Sequence, residues 1–280
     1  MKWRLVFVGL VALYALLLPG FSDYLKTRPV EVKLGYLPHP QILKVASGEH
    51  RSTVSEITVL RVLFYFGTII QKYQDNVIIR PEYLNMFKTL QGAIHLDPYN
   101  MDAYYFAQGS FTWDLGRIEE VNHLLKIGLE NRTWDPWIPF YLGFNYAYFL
   151  KDYEQAAGYM QRAAELSGNP LFTTLASRYF YESEQTAFGL AFLESMVENA
   201  KNPAMKKHYE MRRDALHAVL VIEQALKRYI EQEGIGIDEL QQLLDTGVLE
   251  ALPIDPYGGT FYLDDHGRVR TTSKFVDLKK

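Results

Sequence analysis

The chain lacks cysteine altogether. This absence excludes disulfides, thiolate metal ligands, a cysteine nucleophile and a lipid carried on a cysteine behind a signal. A basic excess is missing too, because the formal net charge is −4. Nucleic-acid recognition usually needs a basic stripe or domain, so we expect no nucleic-acid partner. The 48% hydrophobic and 22% charged content is that of a folded, globular protein.

The motifs of common catalytic and nucleotide-binding sites are also missing. The sequence contains no GxSxG, HExxH, P-loop or GxGxxG pattern, and its seven histidines have no metal-ligand spacing. We therefore expect no catalytic residues, no cofactor, no bound metal and no small-molecule substrate. An enzyme of unrecognised type is the third alternative for function.

The amino terminus carries a basic and then an apolar stretch. Lys2 and Arg4 precede an apolar run from Leu5 to Phe21, about 25 Å long as a helix against a hydrocarbon core of about 30 Å. This layout is typical of an export signal. We expect a membrane-anchored protein whose soluble part lies on the export side, periplasmic or extracellular. The alternatives are secretion after cleavage behind Ser22 and a buried N-terminal core helix.

A helix-breaking pattern occurs inside "GAIHLDPYNMDAYYFAQG", residues 92–109. Proline cannot continue a helix and pushes the preceding residue out of the α region, so one helix should end at Leu-Asp-Pro and the next begin at once. Small residues then recur along the chain. Gly109 and Gly143 are 34 residues apart, whereas the pairs Val121/Ala156 and Gly128/Ala163 are each 35 apart.

The copy around Gly143 reads "PFYLGFNY" and continues as "YEQAAGYMQRAAEL". This spacing resembles the tetratricopeptide repeat (TPR), with its W-x2-L-G-x2-Y, A-x3-F and closing Pro. The resemblance implies a mainly α fold in which helices A and B approach where Gly or Ala is small, and in which the pairs stack into an α-solenoid with a concave side. The alternative is an irregular helical bundle with coincident spacing.

Two further copies are degenerate. Residues 54–84 offer Gly67 at the small position, and residues 171–203 offer Ala176, Tyr179 and Pro203. We therefore predict about four repeats. The apolar stripe that follows predicts a long helix that caps the solenoid.

Helix A faces the concave groove in tetratricopeptide proteins. The resemblance thus implies a partner-binding set on two helices: Phe106, Ser110, Trp113, Trp137, Phe140, Phe144 and Tyr148. Lysine and asparagine clamps for acidic tails are replaced by aromatic residues, which favours an apolar or extended peptide. The alternatives are that the rings only pack helix A on helix A, and that the chain's own segment Lys33 to Lys44 fills the groove.

The C-terminal segment has a different character. "LQQLLDTGVLEALPIDPYGG" precedes the period-two strands "TFYL" and "RVRT" around "DDHG", which predicts a β-hairpin. The order of helix, Leu-Pro-x-Asp-Pro-x-Gly and hairpin resembles the globular portion of type II secretion major pseudopilins. That family has a calcium site here, but Asp264 and Asp265 lack further acidic spacing and predict a solvated turn instead. A pilin is not expected, because Gly20-Phe21 follows the apolar run, whereas prepilin processing needs Gly-Phe before it.

The expected function is a non-enzymatic scaffold of the cell envelope, with a protein or peptide partner and a membrane contact through the N-terminal helix. The pseudopilin resemblance implies a role in secretion or pilus assembly. The second alternative is a structural subunit permanently buried in a larger membrane complex. The expected organisation is a signal-anchor or signal peptide at 1–23, a linker at 24–53, a TPR-like solenoid at 54–203, a capping helix at 204–234 and a pseudopilin-like helix plus hairpin at 235–280.

Overall fold

The computed structural model describes residues 2–27 and 32–276. The chain is mainly helical, with an apolar N-terminal helix and a small antiparallel two-stranded sheet, as expected. It divides into two compact units, Met1–Leu96 and Asp97–Lys280. The boundary between the units lies inside the range 54–203 that was predicted as one solenoid. Met1, residues 28–31 and residues 277–280, which belong to the predicted anchor, linker and C-terminal segments, lie outside the described residues.

The first unit is built from helices. These are α1 Lys2–Thr27, α2 Pro40–Ser47, α3 Arg51–Gln74 and α4 Tyr83–Leu96, with a 3-10 turn at Gly48–His50. The range 24–53, predicted as a linker, contains the end of α1, α2 and the start of α3. Helices α3 and α4 pack together, and the Ser55 hydroxyl donates to the Ala93 carbonyl at 2.8 Å.

The segment before α2 lies against α3 and α4. Arg61 Nη2 donates to the Leu34 carbonyl at 3.0 Å, and Leu37 packs over Gly92, where a Cβ would stand 2.5 Å from Leu37 Cδ2. The chain's own candidate for filling the groove, Lys33 to Lys44, thus has contacts of its own within the first unit.

Among the residues that the structure describes, two stretches are long and apolar enough to cross a membrane by length and composition. They are Val6–Tyr24, none of which is buried, and Pro40–Gln74, of which 33% is buried. The first coincides with the predicted anchor or signal. The second covers α2 and α3 and was not expected.

The second unit begins with paired helices and ends in the hairpin. Its helices are α5 Met101–Trp113, α6 Ile118–Asn131, α7 Trp137–Asn145 with a π turn at Tyr146–Leu150, α8 Tyr153–Ser167, α9 Pro170–Glu182, α10 Thr186–Asn199, α11 Pro203–Glu233 and α12 Gln241–Asp245. The strands are β1 Phe261–Leu263 and β2 Val269–Thr271, with Tyr262 opposite Arg270. The predicted hairpin is confirmed.

Local sequence sets the helix ends. Helix α4 ends at Leu96, directly before Asp97-Pro98, and α5 begins at Met101, as the helix-breaking pattern predicted. The Asp152 side chain accepts from Gln155 N–H and caps α8. Gly168 closes the same helix in the left-handed region at φ 63°, a conformation that glycine adopts without strain.

The buried positions recur at a fixed interval. Nine buried residues of α5 and α6 have a buried counterpart 35 residues later, in α7 or α8. In α5 and α7 the pairs are Ala103/Ile138, Tyr104/Pro139, Ala107/Leu142, Gln108/Gly143 and Ser110/Asn145; in α6 and α8 they are Val121/Ala156, Asn122/Ala157, Leu125/Met160 and Gly128/Ala163. Both helices of the pair therefore repeat with the same spacing.

This register corrects the role predicted for two glycines. A Cβ on Gly143 would lie 3.2 Å from the Ala156 carbonyl oxygen and from Met160 N, so Gly143 does mark a close approach of α7 to α8. A Cβ on Gly109 or Gly67 would meet nothing within 4 Å. Gly109 is exposed, and its counterpart by burial is not Gly143, which instead pairs with Gln108.

The Asp-Pro-x-Gly-Gly spacing of the C-terminal segment has a packing cause. Asp255 is buried and accepts from Tyr257 N–H at 2.9 Å, from the Ser273 hydroxyl at 2.6 Å and from the Thr271 hydroxyl. Gly259 lies so close that a Cβ there would stand 2.6 Å from Asp255 Oδ2. One buried carboxylate thus joins the Asp-Pro-x-Gly-Gly turn to the end of the hairpin.

Substitution by leucine should change the stability in opposite directions at Gly109 of α5 and at Gly143 of α7. Gly143→Leu should lower the free energy of unfolding by about 1–3 kcal/mol, because the added atoms overpack against the α8 backbone. Gly109→Leu should raise it by about 0.5–1 kcal/mol, because it removes the entropic cost of a helical glycine without a collision. Denaturant unfolding followed by circular dichroism measures both, and equal effects would contradict the register.

Candidate functional site

Helices α5 and α7 enclose a cavity of about 420 Å³. We call it the aromatic cavity, because most of its lining is aromatic: Tyr105, Phe106, Gln108, Gly109, Ser110, Trp113, Phe140, Tyr141 and Phe144. No charged side chain lines it among the residues that the structure describes. Its size is at the lower end of the range of small ligand pockets.

The structure brings the predicted partner-binding residues together at this cavity. Five of them line it: Phe106, Ser110, Trp113, Phe140 and Phe144. The other two contact the lining rings. Trp137 meets Phe140 edge-on at 5.7 Å between ring centroids, and Tyr148 stacks on Phe144 at 5.3 Å.

The prediction missed Tyr105, Gln108, Gly109 and Tyr141 in the lining. The interval of 35 residues already visible in helices B would have found the two tyrosines, because it relates Tyr105 to Phe140 and Phe106 to Tyr141. Missed as well were Phe149, which meets Trp113 at 5.0 Å, and Phe172, which stacks on Phe140 at 4.8 Å.

The same interval explains why the cavity is open. It relates Trp113 to Tyr148 and Gly109 to Phe144. Position 109 of α5 is therefore equivalent to position 144 of α7, which carries a phenyl ring. Because Gly109 has no side chain there, space remains beside Phe144, and both residues line that space.

The rings pack on one another and still present surface to solvent. Trp113 is 54% exposed, Trp137 49% and Tyr148 51%. Ring contacts of about 0.5–1.5 kcal/mol each hold such a cluster together. Aromatic rings that are fixed by neighbours yet half-exposed lose little conformational entropy on binding, which is the usual character of an interface anchor.

A buried amide network lies under the cavity. Gln108 Nε2 donates to Asn145 Oδ1 at 2.7 Å, and Asn145 Nδ2 donates to Gln108 Oε1 and to Asn122 Oδ1, each at 2.8 Å. These three residues come from α5, α6 and α7. Since each amide is buried, losing a partner would leave an unsatisfied polar group at a cost of about 1–3 kcal/mol. The network thus fixes the positions of the helices that carry the rings.

Electrostatics at the cavity are weak. Burial raises the pKa of the Tyr141 hydroxyl, with further contributions from Tyr105 and Asp135, so the hydroxyl is neutral at physiological pH and can donate or accept a hydrogen bond. Lys151 Nζ lies over the Tyr148 ring at 5.3 Å from its centroid. The surface therefore suits an uncharged, apolar segment better than a charged ligand.

Two larger cavities have mixed linings. One of about 700 Å³ lies between α6, α8 and α10, with Tyr159, Phe188, Glu154 and Arg162 in its wall. Another, of about 720 Å³, lies between α11 and the hairpin and includes Glu223, Lys227, His266 and Arg268. Within the described ranges, no three His, Asp or Glu residues stand close enough to hold a metal ion.

The hairpin carboxylates differ from the predicted solvated turn. Asp265 is exposed, but Asp264 accepts from Arg268 Nε at 2.9 Å and from Arg270 Nε at 3.2 Å. Partial burial opposes the charged form, but hydrogen bonds from the backbone of Arg268 and His266 and from Arg270 outweigh it and lower the pKa of Asp264 to about 2. Asp264 therefore stabilises the hairpin as a carboxylate.

Glu223 gives the second unit a pH-dependent stability. Burial raises its pKa from 4.5 to about 7, although the Thr186 hydroxyl donates to the carboxylate at 2.9 Å. The folded state thus favours the protonated acid, and wild type should lose stability as pH rises from 4.5 to 7. Glu223→Gln should raise the melting temperature above that window and leave it unchanged below. An equal increase of the melting temperature below pH 4.5 and above pH 7 would contradict the titration of Glu223.

No protein-family model matches the chain, and no curated protein matches it either.

Proposed function

We propose that the chain is a non-enzymatic scaffold, tethered to the membrane by α1, that binds an apolar or extended peptide segment of a partner protein at the aromatic cavity. The observation that carries the proposal is the open space beside Phe144, lined by rings from two helices and bordered by the half-exposed Trp113. Aromatic anchors in pockets supply most of the binding energy in peptide recognition.

The proposed arrangement is a tetratricopeptide-type solenoid. It is supported by successive helices that contact each other across short connections in the second unit, from α5 to α11. The buried positions that recur after 35 residues are further support. In such an arrangement α5 and α7 are helices A, whose exposed faces form one surface. The proposed partner binds on the side of the proposed solenoid that carries the rings.

The proposed location is the cell envelope, with the second unit on the export side. The support is the basic start before the apolar stretch Val6–Tyr24. A role in secretion or pilus assembly is supported only by the resemblance of the C-terminal segment to major pseudopilins. In this chain, Asp255 and Gly259 hold the turn and the hairpin of that segment together.

A second candidate is a structural subunit of a larger membrane complex. The apolar surfaces of α1 and α3 favour it, because obligate interfaces are larger and more hydrophobic than transient ones. A monodisperse monomer of residues 24–280, observed by size-exclusion chromatography with light scattering in a mild detergent that covers the exposed apolar surface of α3, is the expected result for the scaffold. Insolubility without a partner would favour the subunit.

Filling the cavity should abolish partner binding without unfolding the protein. Gly109→Phe places at position 109 the ring that its counterpart Phe144 carries, and a Cβ there meets nothing within 4 Å. Gly158→Phe is the matched control, because Gly158 is also helical, exposed and free of contacts within 4 Å but lies outside the aromatic cavity. The measurement is in-cell photo-crosslinking from a benzoylphenylalanine placed at Trp137.

The expected result is a crosslinked partner in wild type and in Gly158→Phe that disappears in Gly109→Phe, while circular dichroism shows unchanged helicity. Retention of the same partner by both variants would reject binding at the cavity. Loss of helicity in Gly109→Phe alone would mean that the space beside Phe144 is needed for packing, which favours the alternative that the rings only pack helices.

A further inference from the structure

Helix α3 is apolar on two opposite faces. One face packs on α4 and buries Val59, Val62, Tyr65 and Ile69. The opposite face is exposed, and we call it the α3 outer face: Ile57, Leu60, Leu63, Phe64 and Ile70. Phe64 is 73% exposed. These residues fall at helical spacing on one stripe, where a helix facing water would carry polar side chains.

The stripe has almost no charge. Gly67 lies within it and is exposed, Glu56 lies at its N-terminal end, and the exposed Arg61 flanks it beside Ile57 and Phe64. Helix α2 adds the exposed Ile42 and Val45, which are three residues apart. Helices α2 and α3 together form the second stretch with the length and composition of a membrane segment. Five large apolar side chains exposed on one side of α3 go beyond the single scattered exposures that are normal on a protein surface, and such a group marks an interaction site.

Chain connectivity keeps this surface close to the anchor. Helix α1 ends at Thr27. Seven residues later, the Leu34 carbonyl accepts a hydrogen bond of 3.0 Å from Nη2 of Arg61, which belongs to α3. Seven residues of chain span at most about 25 Å. With the 3.0 Å hydrogen bond and the length of the Arg61 side chain added, the middle of α3 lies within about 35 Å of the end of α1, so a bilayer entered by α1 is within reach of α3.

The charge of this part of the chain fits a membrane surface. Residues 24–74 contain seven Lys or Arg and three Glu, although the whole chain has a net charge of −4. Basic residues next to an anchor are attracted to anionic lipid headgroups. An apolar stripe beside such residues is the composition of a helix that lies in the interfacial layer.

We propose that the α3 outer face, with Ile42 and Val45 of α2, lies in the interfacial layer of the bilayer that α1 enters. There it contacts anionic headgroups and the part of the acyl chains next to the headgroups. This inference rests on the anchor in the proposed function and is independent of the aromatic cavity. The first unit is then held against the membrane along α3, in addition to its tether.

The absence of cysteine permits a direct test with the full-length chain. Phe64→Cys labelled with the fluorophore NBD reports on the α3 outer face, and Leu13→Cys reports on α1. Phe188→Cys on α10 is the matched control, since Phe188 is 68% exposed and has the same residue type. Each variant is reconstituted into phosphatidylcholine vesicles with and without phosphatidylglycerol, and is exposed to a doxyl-labelled lipid and, separately, to aqueous iodide.

The expected result is that the doxyl lipid removes most of the emission at positions 13 and 64 and leaves position 188 unchanged, while iodide quenches position 188 most. Phosphatidylglycerol should increase the doxyl quenching at position 64. Leu60→Glu combined with Phe64→Glu, read from a label at Ile57→Cys, should abolish the lipid quenching while circular dichroism shows unchanged helicity, because both side chains lie on the exposed face.

Iodide quenching at position 64 equal to that at position 188, without doxyl quenching, would overturn the inference. Protection of position 64 from both quenchers would also overturn it, because a second protein copy or another partner would then cover the face. An unquenched label at position 13 would instead show that the anchor of the proposed function fails, whatever the label at position 64 reports.

Discussion

The close approach of α7 to α8 at Gly143 is the constraint on which the second unit depends. A Cβ at this position would lie 3.2 Å from the Ala156 carbonyl oxygen and from Met160 N, so a larger residue would push the two helices apart. The contact sets which side of α7 is buried. Phe140, Phe144 and Tyr148 then lie on the remaining side. The same burial pattern, 35 residues earlier, orients the rings of α5.

The cavity arises from a difference between the otherwise similar helices α5 and α7. Where α7 carries Phe144, α5 carries Gly109, and the cavity occupies the space that a second phenyl ring would fill. The buried amides of Gln108, Asn145 and Asn122 hold the helices in place beneath it. Packing thus accounts for the ring positions, and one missing side chain accounts for the opening.

Much of the fold follows from local sequence. The Asp97-Pro98 break, the long helix α11 and the hairpin follow from backbone chemistry and periodicity, which act within a few residues. The five lining residues that were predicted follow from helix spacing once helix A is assigned.

The rest depends on contacts that sequence does not show. Gly109 and Gly143 look alike in the sequence, and only the packing partner separates a glycine that admits a neighbouring backbone from one that leaves a cavity. Helix α2 is short, and it was missed because its contacts with α4 are distant in sequence. The outer face of α3 was also missed, because a doubly apolar helix cannot be told from a buried one by composition.

The most direct test of the open, ring-lined surface is fluorine NMR of the protein labelled with 5-fluorotryptophan, each resonance being assigned by a Trp→Phe variant. If the account is correct, Trp113 and Trp137, each about half-exposed, show solvent isotope shifts in deuterated water that are smaller than that of free 5-fluorotryptophan but clearly above zero. Absence of a solvent shift at both positions would contradict it, because the rings would then be closed over the space beside Phe144.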